Sequence, residues 1–244
     1  MTPGVDYQRV GLFGGTFDPV HQGHLTLARH VLDRCRLDRL LFIPAAQPPH
    51  KQCPEASFVH RQAMIQAALQ ANLAAAGMSL SLIEQELAVP SYTIQTIETL
   101  CAQDNRLRPL LILGADSLLD LCHWHRASDL LDQTSLIVVR REGIDASAIG
   151  RAIAMLPHAY QALPQTGGWI DAAGNTIVYL ADVEVPVSSS AIREELSHGL
   201  VPPMLPPTVF SYISQHHLYG GRGRMKYIAD LHIHSHFSRA TSKS

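Results

Sequence analysis

The stretch Arg9-Val10-Gly11-Leu12-Phe13-Gly14-Gly15-Thr16-Phe17-Asp18-Pro19-Val20-His21-Gln22-Gly23-His24-Leu25 decides the fold. Residues 9–13 form a short apolar run, the pattern of a buried strand. The run leads straight into Gly14-Gly15, where the backbone can turn sharply with no Cβ in the way. From about residue 23 to residue 35, Leu25, Leu27, Ala28, Val31 and Leu32 recur on one helical face. Residues 40–43 are a second apolar strand, closed by Pro44. A strand, a glycine turn, a helix and a second strand in direct succession make a βαβ unit, and hence a parallel sheet.

Outward from this unit the alternation continues. The pattern predicts a helix over 58–75, a strand near 80–83, a helix over 93–103 and a strand over 110–113 that ends at Gly114-Ala115-Asp116. Further strands are expected at 136–140 and 177–180, with a helix over 189–196. The predicted architecture is α/β, a doubly wound, Rossmann-like parallel sheet with helices on both faces. In such sheets ligands sit at the carboxyl ends of strands, where strand order reverses. The proline-rich segment 202–207 resets the backbone before a last helix over 209–215, and Gly220-Gly221-Arg222-Gly223-Arg224 reads as a linker. One domain over 1–219 and a tail over 220–244 are therefore expected.

Composition narrows the function classes. Of the 244 residues 46% are hydrophobic and 16% charged, with a formal net charge of −2. That balance argues against a nucleic-acid binder held by a general basic field, while a small anionic substrate needs only a few local positive groups. Cys35, Cys53, Cys101 and Cys122 are far apart and form no CxxC pair, as expected of reduced thiols in a cytoplasmic protein. The first ten residues, MTPGVDYQRV, lack the charged start and apolar core of a signal peptide, and no apolar run approaches the roughly 20 residues of a membrane span.

Chemistry concentrates at the first turn. His21 and His24 flank a predicted helix start, where free N–H groups and the helix dipole favour an anion. Two imidazoles there can donate hydrogen bonds to a phosphate and stabilise charge growing on it. The competing reading is a glycine turn with two incidental histidines. The full run GGTFDPVHQGH resembles the signature of the HxGH nucleotidyltransferase superfamily. That resemblance implies transfer of a nucleoside monophosphate from a triphosphate with release of pyrophosphate, carried by positioning and electrostatics rather than by a covalent nucleophile. It implies a nucleotide site at Gly14, Gly15, Thr16, Phe17, His21 and His24.

Four later segments resemble the bacterial nicotinate mononucleotide adenylyltransferase family. Ile43-Pro44 with Pro48-Pro49-His50-Lys51 is similar to the loop in which a His-Lys pair, here His50 and Lys51, holds the mononucleotide phosphate. Pro90-Ser91-Tyr92-Thr93 resembles the segment beside the nicotinate ring, which implies that Tyr92 stacks and Thr93 contacts the carboxylate. On the residues alone, Tyr92 could simply pack and Thr93 could cap the next helix. Leu113-Gly114-Ala115-Asp116 with Trp124 is similar to the family's GAD segment and its downstream tryptophan. It implies that Gly114 and Asp116 meet the nucleotide and that Trp124 stacks on the pyridine ring; a helix N-cap is the other reading of Asp116. His123 and His125 have no assigned counterpart and read as surface or supporting histidines. Val187-Ser188-Ser189-Ser190-Ala191-Ile192-Arg193 resembles the ISSTxIR segment, with Val for Ile and Ser for Thr. Hydroxyls opening a helix, with an arginine one turn in, make a second anion site.

The resemblance spans about residues 9–219. It implies adenylyl transfer from ATP to nicotinate mononucleotide, giving deamido-NAD and pyrophosphate in NAD biosynthesis. Catalysis would fall to His21, His24 and Arg193, ATP binding also to Ser188, Ser189 and Ser190, and Mg²⁺ would accompany ATP. Neither nucleic acid nor membrane is an expected partner. The same chemistry on nicotinamide mononucleotide or a cytidylyltransferase substrate is the near alternative, and a non-catalytic nucleotide sensor is a distant one. In the tail, Asp230-Leu231-His232-Ile233-His234-Ser235 resembles the opening strand of a PHP-type phosphoesterase, whose HxH pair shares one strand face and binds metal. Such a domain needs further ligands over a longer chain. The tail is therefore expected to be a truncated, inert fragment, the alternative being a metal-dependent phosphoesterase function at His232 and His234.

Overall fold

The structure, a computed structural model, describes residues 6–46, 53–72, 75–88, 90–165, 167–183 and 187–220. Its strands are β1 (Gln8–Gly15), β2 (Arg39–Pro44), β3 (Met78–Leu80), β4 (Leu107–Gly114), β5 (Ser135–Val139), β6 (Gln161–Leu163), β7 (Gly168–Ile170) and β8 (Thr176–Leu180). The helices are α1 (Gln22–Arg34), α2 (Phe58–Gln70), α3 (Thr93–Gln103), α4 (Ala115–Asp120), α5 (Ala127–Gln133), α6 (Ala146–Ala154), α7 (Ser189–Ser197) and α8 (Pro207–Gln215). All the strands lie in one sheet, in the order β3-β2-β1-β4-β5-β8-β7-β6.

The strands from β3 to β8 pair parallel, as the alternating pattern predicts. From β1 the chain winds outward through β2 to β3, then returns and winds the other way through β4 and β5. Strand order therefore reverses between β1 and β4. Parallel pairing puts Gly15 level with Pro44 and Gly114 level with Val139, so these strand exits open on one edge of the sheet. That edge, at the reversal, is where a doubly wound sheet binds its ligand.

Side-chain alternation divides the core into two layers. Leu110 and Ile112 of β4 join Phe13, Leu40 and Phe42 under α1, α2, α7 and α8, through residues such as Val31, Met64, Ile192 and Ile213. Leu111 and Leu113 join Val10, Leu12 and Ile43 on the other face, under Ile97, Leu118, Leu130 and Ile153 of α3 to α6. Each such side chain contributes about 1.5–3 kcal/mol on full burial. Sealing both faces is what lets a parallel sheet exist.

Three local expectations need correction. The strand expected over 80–83 lies at Met78–Leu80, and residues 83–85 turn into a short 3₁₀ segment. The helix expected over 58–75 stops at Gln70; alanine-rich sequence keeps helical propensity past the point where the chain must turn toward β3. The antiparallel hairpin of β6 and β7 was not expected, and it extends one edge of the sheet beyond β8. No helix among the described residues is long and apolar enough to cross a membrane.

Candidate active site

The turn after β1 is built around Phe17. Its backbone is left-handed, with φ of 50°, and its ring is 2% exposed. A Cβ on Gly15 would stand 3.0 Å from that ring, a tight contact that glycine relieves. The ring meets His24 edge-on at 5.0 Å and also touches Phe13 and Phe42. Phe17 therefore supports the site from below, which leaves its backbone, not its ring, for a ligand.

Helix α1 begins at Gln22, with His21 as its N-cap and His24 at the third position. The His21 backbone N–H donates to His24 Nδ1 at 3.2 Å, and the two rings stack with centroids 3.7 Å apart. Since His24 Nδ1 accepts, the neutral ring carries its proton on Nε2, which makes that nitrogen its donor. His21 is 1% exposed, and its Nδ1 is buried without a hydrogen-bond partner among the described residues. An orphaned polar atom at a helix N-terminus suits an incoming phosphate oxygen. Burial, then the nearby Arg141 charge, pushes the His21 pKa down to about 4. Burial, then His21 and Arg141, also holds His24 well below the ordinary histidine range. Both rings are neutral hydrogen-bonders near neutral pH.

Arg141 reaches the site from just beyond β5. Its Nε lies 3.4 Å from the Asp116 carboxylate, in the first turn of α4. A Cβ on Gly114 would fall 2.2 Å from Asp116 Oδ1 and 2.8 Å from Arg141 Nε, so glycine makes room for this pair. Asp116 does not cap α4, because Gly114 holds the N-cap position.

On the opposite side, α7 docks onto the same turn. Ser188 caps it, its Oγ accepting from the Ala191 N–H at 3.2 Å. Ser189 Oγ donates to the Pro19 carbonyl at 3.0 Å, while Ser190 is exposed on the first turn. Arg193 donates from Nη1 to the Asp18 carbonyl at 2.8 Å and from Nε to Glu55 at 2.5 Å. The Asp18 side chain, 3% exposed, accepts from the Glu55 and Ala56 amides at 2.8 and 3.1 Å and from the Tyr219 hydroxyl at 2.6 Å. The expected anion segment around 188–193 is thus joined to the histidine turn.

The acceptor segments are partly described. Tyr92, not Thr93, is the N-cap of α3; its N–H donates to Gln95 Oε1 at 2.9 Å, and Thr93 is the first helical residue. The Tyr92 ring stacks on His125, centroids 4.2 Å apart, beside the half-buried Trp124. The structure therefore groups the 90–93 segment with the tryptophan segment through a histidine that the sequence left unassigned. His123 points elsewhere, to Asp120 at 3.3 Å and Cys122 at 3.4 Å. His50 and Lys51 lie outside the described residues, as do His232 and His234.

Sequence reasoning passed over Arg141, Arg61 and Glu84, and gave His125 only a surface or supporting place. Arg61 alone carried a signal: a charge one turn before Met64 and Ile65, on the apolar face of α2.

Comparison with known proteins identifies the family and the fold. The cytidylyltransferase-like family matches residues 12–195. A "probable nicotinate-nucleotide adenylyltransferase" of Gloeobacter violaceus is 40% identical over 215 residues, covering 87% of this chain and 96% of that protein. One of the same name from Desulfotalea psychrophila is 35% identical over 217 residues, covering 87% of this chain and all of its relative (100%). Among solved structures, a Plasmodium falciparum nicotinic acid mononucleotide adenylyltransferase complexed with NaAD superposes with a TM-score of 0.67. That match covers 87% of this chain and 98% of the other at 16% identity, a likeness of fold.

Proposed function

The chain belongs to the cytidylyltransferase-like family, in the branch of the nicotinate-nucleotide adenylyltransferases, and from that premise we infer that it transfers the adenylyl group of ATP to nicotinate mononucleotide, releasing pyrophosphate. The observation that carries the mechanism is the stacked His21–His24 pair at the start of α1, beside the strand-order reversal.

The acceptor phosphate attacks the α-phosphorus of ATP in line, and the pyrophosphate leaves. His24 donates from Nε2 to oxygens that gain charge as the bond breaks, and His21 offers its unpartnered ring nitrogen beside it. A neutral imidazole still has one N–H to donate, so the lowered pKa values are compatible with this role. Arg141 adds fixed positive charge next to both rings, and its partner Asp116 orients it. The Ser188–Ser190 run and Arg193 hold the triphosphate; Arg193 exchanges its contact with Glu55 for phosphate. Thr16, Gly14 and Gly15 contribute backbone. Tyr92, Thr93 and Trp124 receive the pyridine ring and its carboxylate, and His50 and Lys51 the acceptor phosphate.

Among the described residues no three His, Cys, Asp or Glu side chains converge to hold a metal ion. With ATP as the donor, magnesium would arrive on the triphosphate, held by phosphate oxygens and water. Unpaired cysteines and the ATP requirement support a cytoplasmic setting. The bond from Tyr219 to Asp18 supports a catalytic unit that runs through residue 219.

The test is pyrophosphate release with ATP and a panel of mononucleotides, with product masses recorded. Nicotinate mononucleotide should be the preferred acceptor, giving deamido-NAD. Preference for the nicotinamide form would change the acceptor and keep the chemistry. No release with any acceptor would remove the reading.

A further inference from the structure

Arg61 lies on α2, and although it carries a charge it is only 1% exposed. Its Nη1 donates to the Thr16 carbonyl and its Nη2 to the Ala45 carbonyl, each at 2.7 Å. Thr16 follows the end of β1, and Ala45 follows the end of β2. The last ladder bond between these strands runs from the Ala45 N–H to the Gly15 carbonyl at 2.9 Å. Beyond it both chains present acceptors, which cannot bond each other, and a planar double donor joins them.

The adjacent residue is held by the opposite kind of group. Glu84 accepts from the Ala46 N–H at 3.0 Å, from the Ser91 hydroxyl at 3.2 Å and from the Thr96 hydroxyl at 3.2 Å. A carboxylate gathers donors as a guanidinium gathers acceptors. The Ala45–Ala46 peptide is therefore gripped on both sides. One grip reaches the turn that receives ATP, and the other reaches the segment that receives the pyridine ring.

We propose that Arg61 and Glu84 are positioning residues which, through the Ala45 carbonyl and the Ala46 amide, set the distance between the adenylyl-donor turn at Thr16 and the acceptor segment at Ser91–Tyr92. This rests on the adenylyltransferase reading above. Burying a guanidinium against neutral carbonyls is an expensive way to fill space, and an apolar side chain of like volume would fill it better. Burial does lower the Arg61 pKa, with Asp18, Tyr219 and Glu84 nearby acting to offset it. What the fork adds is a fixed spacing between two strand exits. In-line transfer depends on such spacing, because small misplacement of reactants costs large factors in rate.

The two residues predict different kinetic signatures. Glu84 touches only the acceptor side, so Glu84→Ala should raise KM for nicotinate mononucleotide about tenfold and leave KM for ATP within about twofold. Glu84→Gln, which keeps one acceptor oxygen, should fall between. Arg61 spans both sides, so Arg61→Lys, whose single ammonium lacks the planar fork that fixes the spacing of the two carbonyls, should lower kcat at saturation of both substrates by about tenfold or more.

The experiment is steady-state pyrophosphate release by these variants, with the circular dichroism and melting temperature of each measured alongside. Arg61→Met, of similar volume and uncharged, serves as a second variant if the lysine form folds poorly, and the Glu84 series decides the matter alone if both do. A selective rise in acceptor KM for Glu84→Ala supports the proposal. Folded variants with wild-type constants overturn it, as does a loss that tracks the folded fraction with both KM values unmoved. Wild-type enzyme in the same assay reports separately on the adenylyltransferase reading, so the two failures are distinguishable.

Discussion

His24 Nδ1 accepts the backbone N–H of His21 at 3.2 Å, and this one bond decides what His24 can offer a ligand. It closes the first turn of α1 as a capping contact, and it leaves the only ring proton of neutral His24 on Nε2. In the free protein near neutral pH, nitrogen NMR of the His24 ring should show an unprotonated Nδ1 and a protonated Nε2. A proton on Nδ1 would mean that the ring faces the helix differently.

His21 should stay neutral well into the acid range. With its pKa near 4 in the fold, its ring resonances should move little between pH 7 and pH 5.5. The linkage sign follows from the depression. The unfolded chain binds a proton at the ordinary histidine value, about 6.5, while the folded chain resists until about 4. Stability is therefore full above pH 6.5, falls as the pH drops from 6.5 toward 4, and levels off below. The size is on the order of 3 kcal/mol for this ring. Chemical denaturation at pH 7 and pH 4.5 should show the fall, and His21→Asn should reduce it.

Arg141 should matter to both binding and titration. Removing it takes positive charge away from both rings, so Arg141→Ala should raise the His21 pKa. It should also weaken ATP binding, raising KM for ATP by about tenfold, the loss expected of a charged hydrogen bond to phosphate. Its side chain is about half exposed (49%), so the melting temperature should hardly change. An unchanged His21 titration in this variant would separate Arg141 from the site.

Much of this site could be read from the sequence, and the reason is local. Strand, turn and helix at residues 9–34 each follow from spacing within a few residues, and the Ser188 cap follows from a hydroxyl before an apolar helical face. Arg141 was not legible, because Arg140-Arg141-Glu142 looks like any charged strand exit until β4 and β5 are known to be neighbours. His125 could be read only as a surface or supporting histidine for the same reason, since its partner Tyr92 is at another helix start. The β6–β7 hairpin escaped because Gln161–Leu163 and Gly168–Ile170 are short edge pieces with too few residues for alternation to register. Thr93 and Asp116 each look like an N-cap, yet the helices start one and two residues earlier, where Tyr92 and Gly114 already have extended backbone.

Tyr219 ties the end of the described chain to the first turn. Burial, then its bond to Asp18, raises the hydroxyl pKa above the ordinary tyrosine range, so it remains a donor at any working pH. Tyr219→Phe leaves Asp18 with its two amide bonds and one vacant acceptor site, and should destabilise the fold by about 1–2 kcal/mol. The melting temperature should fall by a few degrees, with kcat changed less than the stability. A melting temperature equal to wild type would show that this contact is not made in solution.

The most direct test of the account is single-turnover pyrophosphate release by His24→Ala, run beside equilibrium binding of an ATP analogue. His24 is assigned a bond that strengthens as charge moves onto the phosphates, so its removal should slow the chemical step by about 10²–10³-fold while analogue binding changes by less than about tenfold. A folded His24→Ala protein that releases pyrophosphate at near wild-type rate would contradict the account.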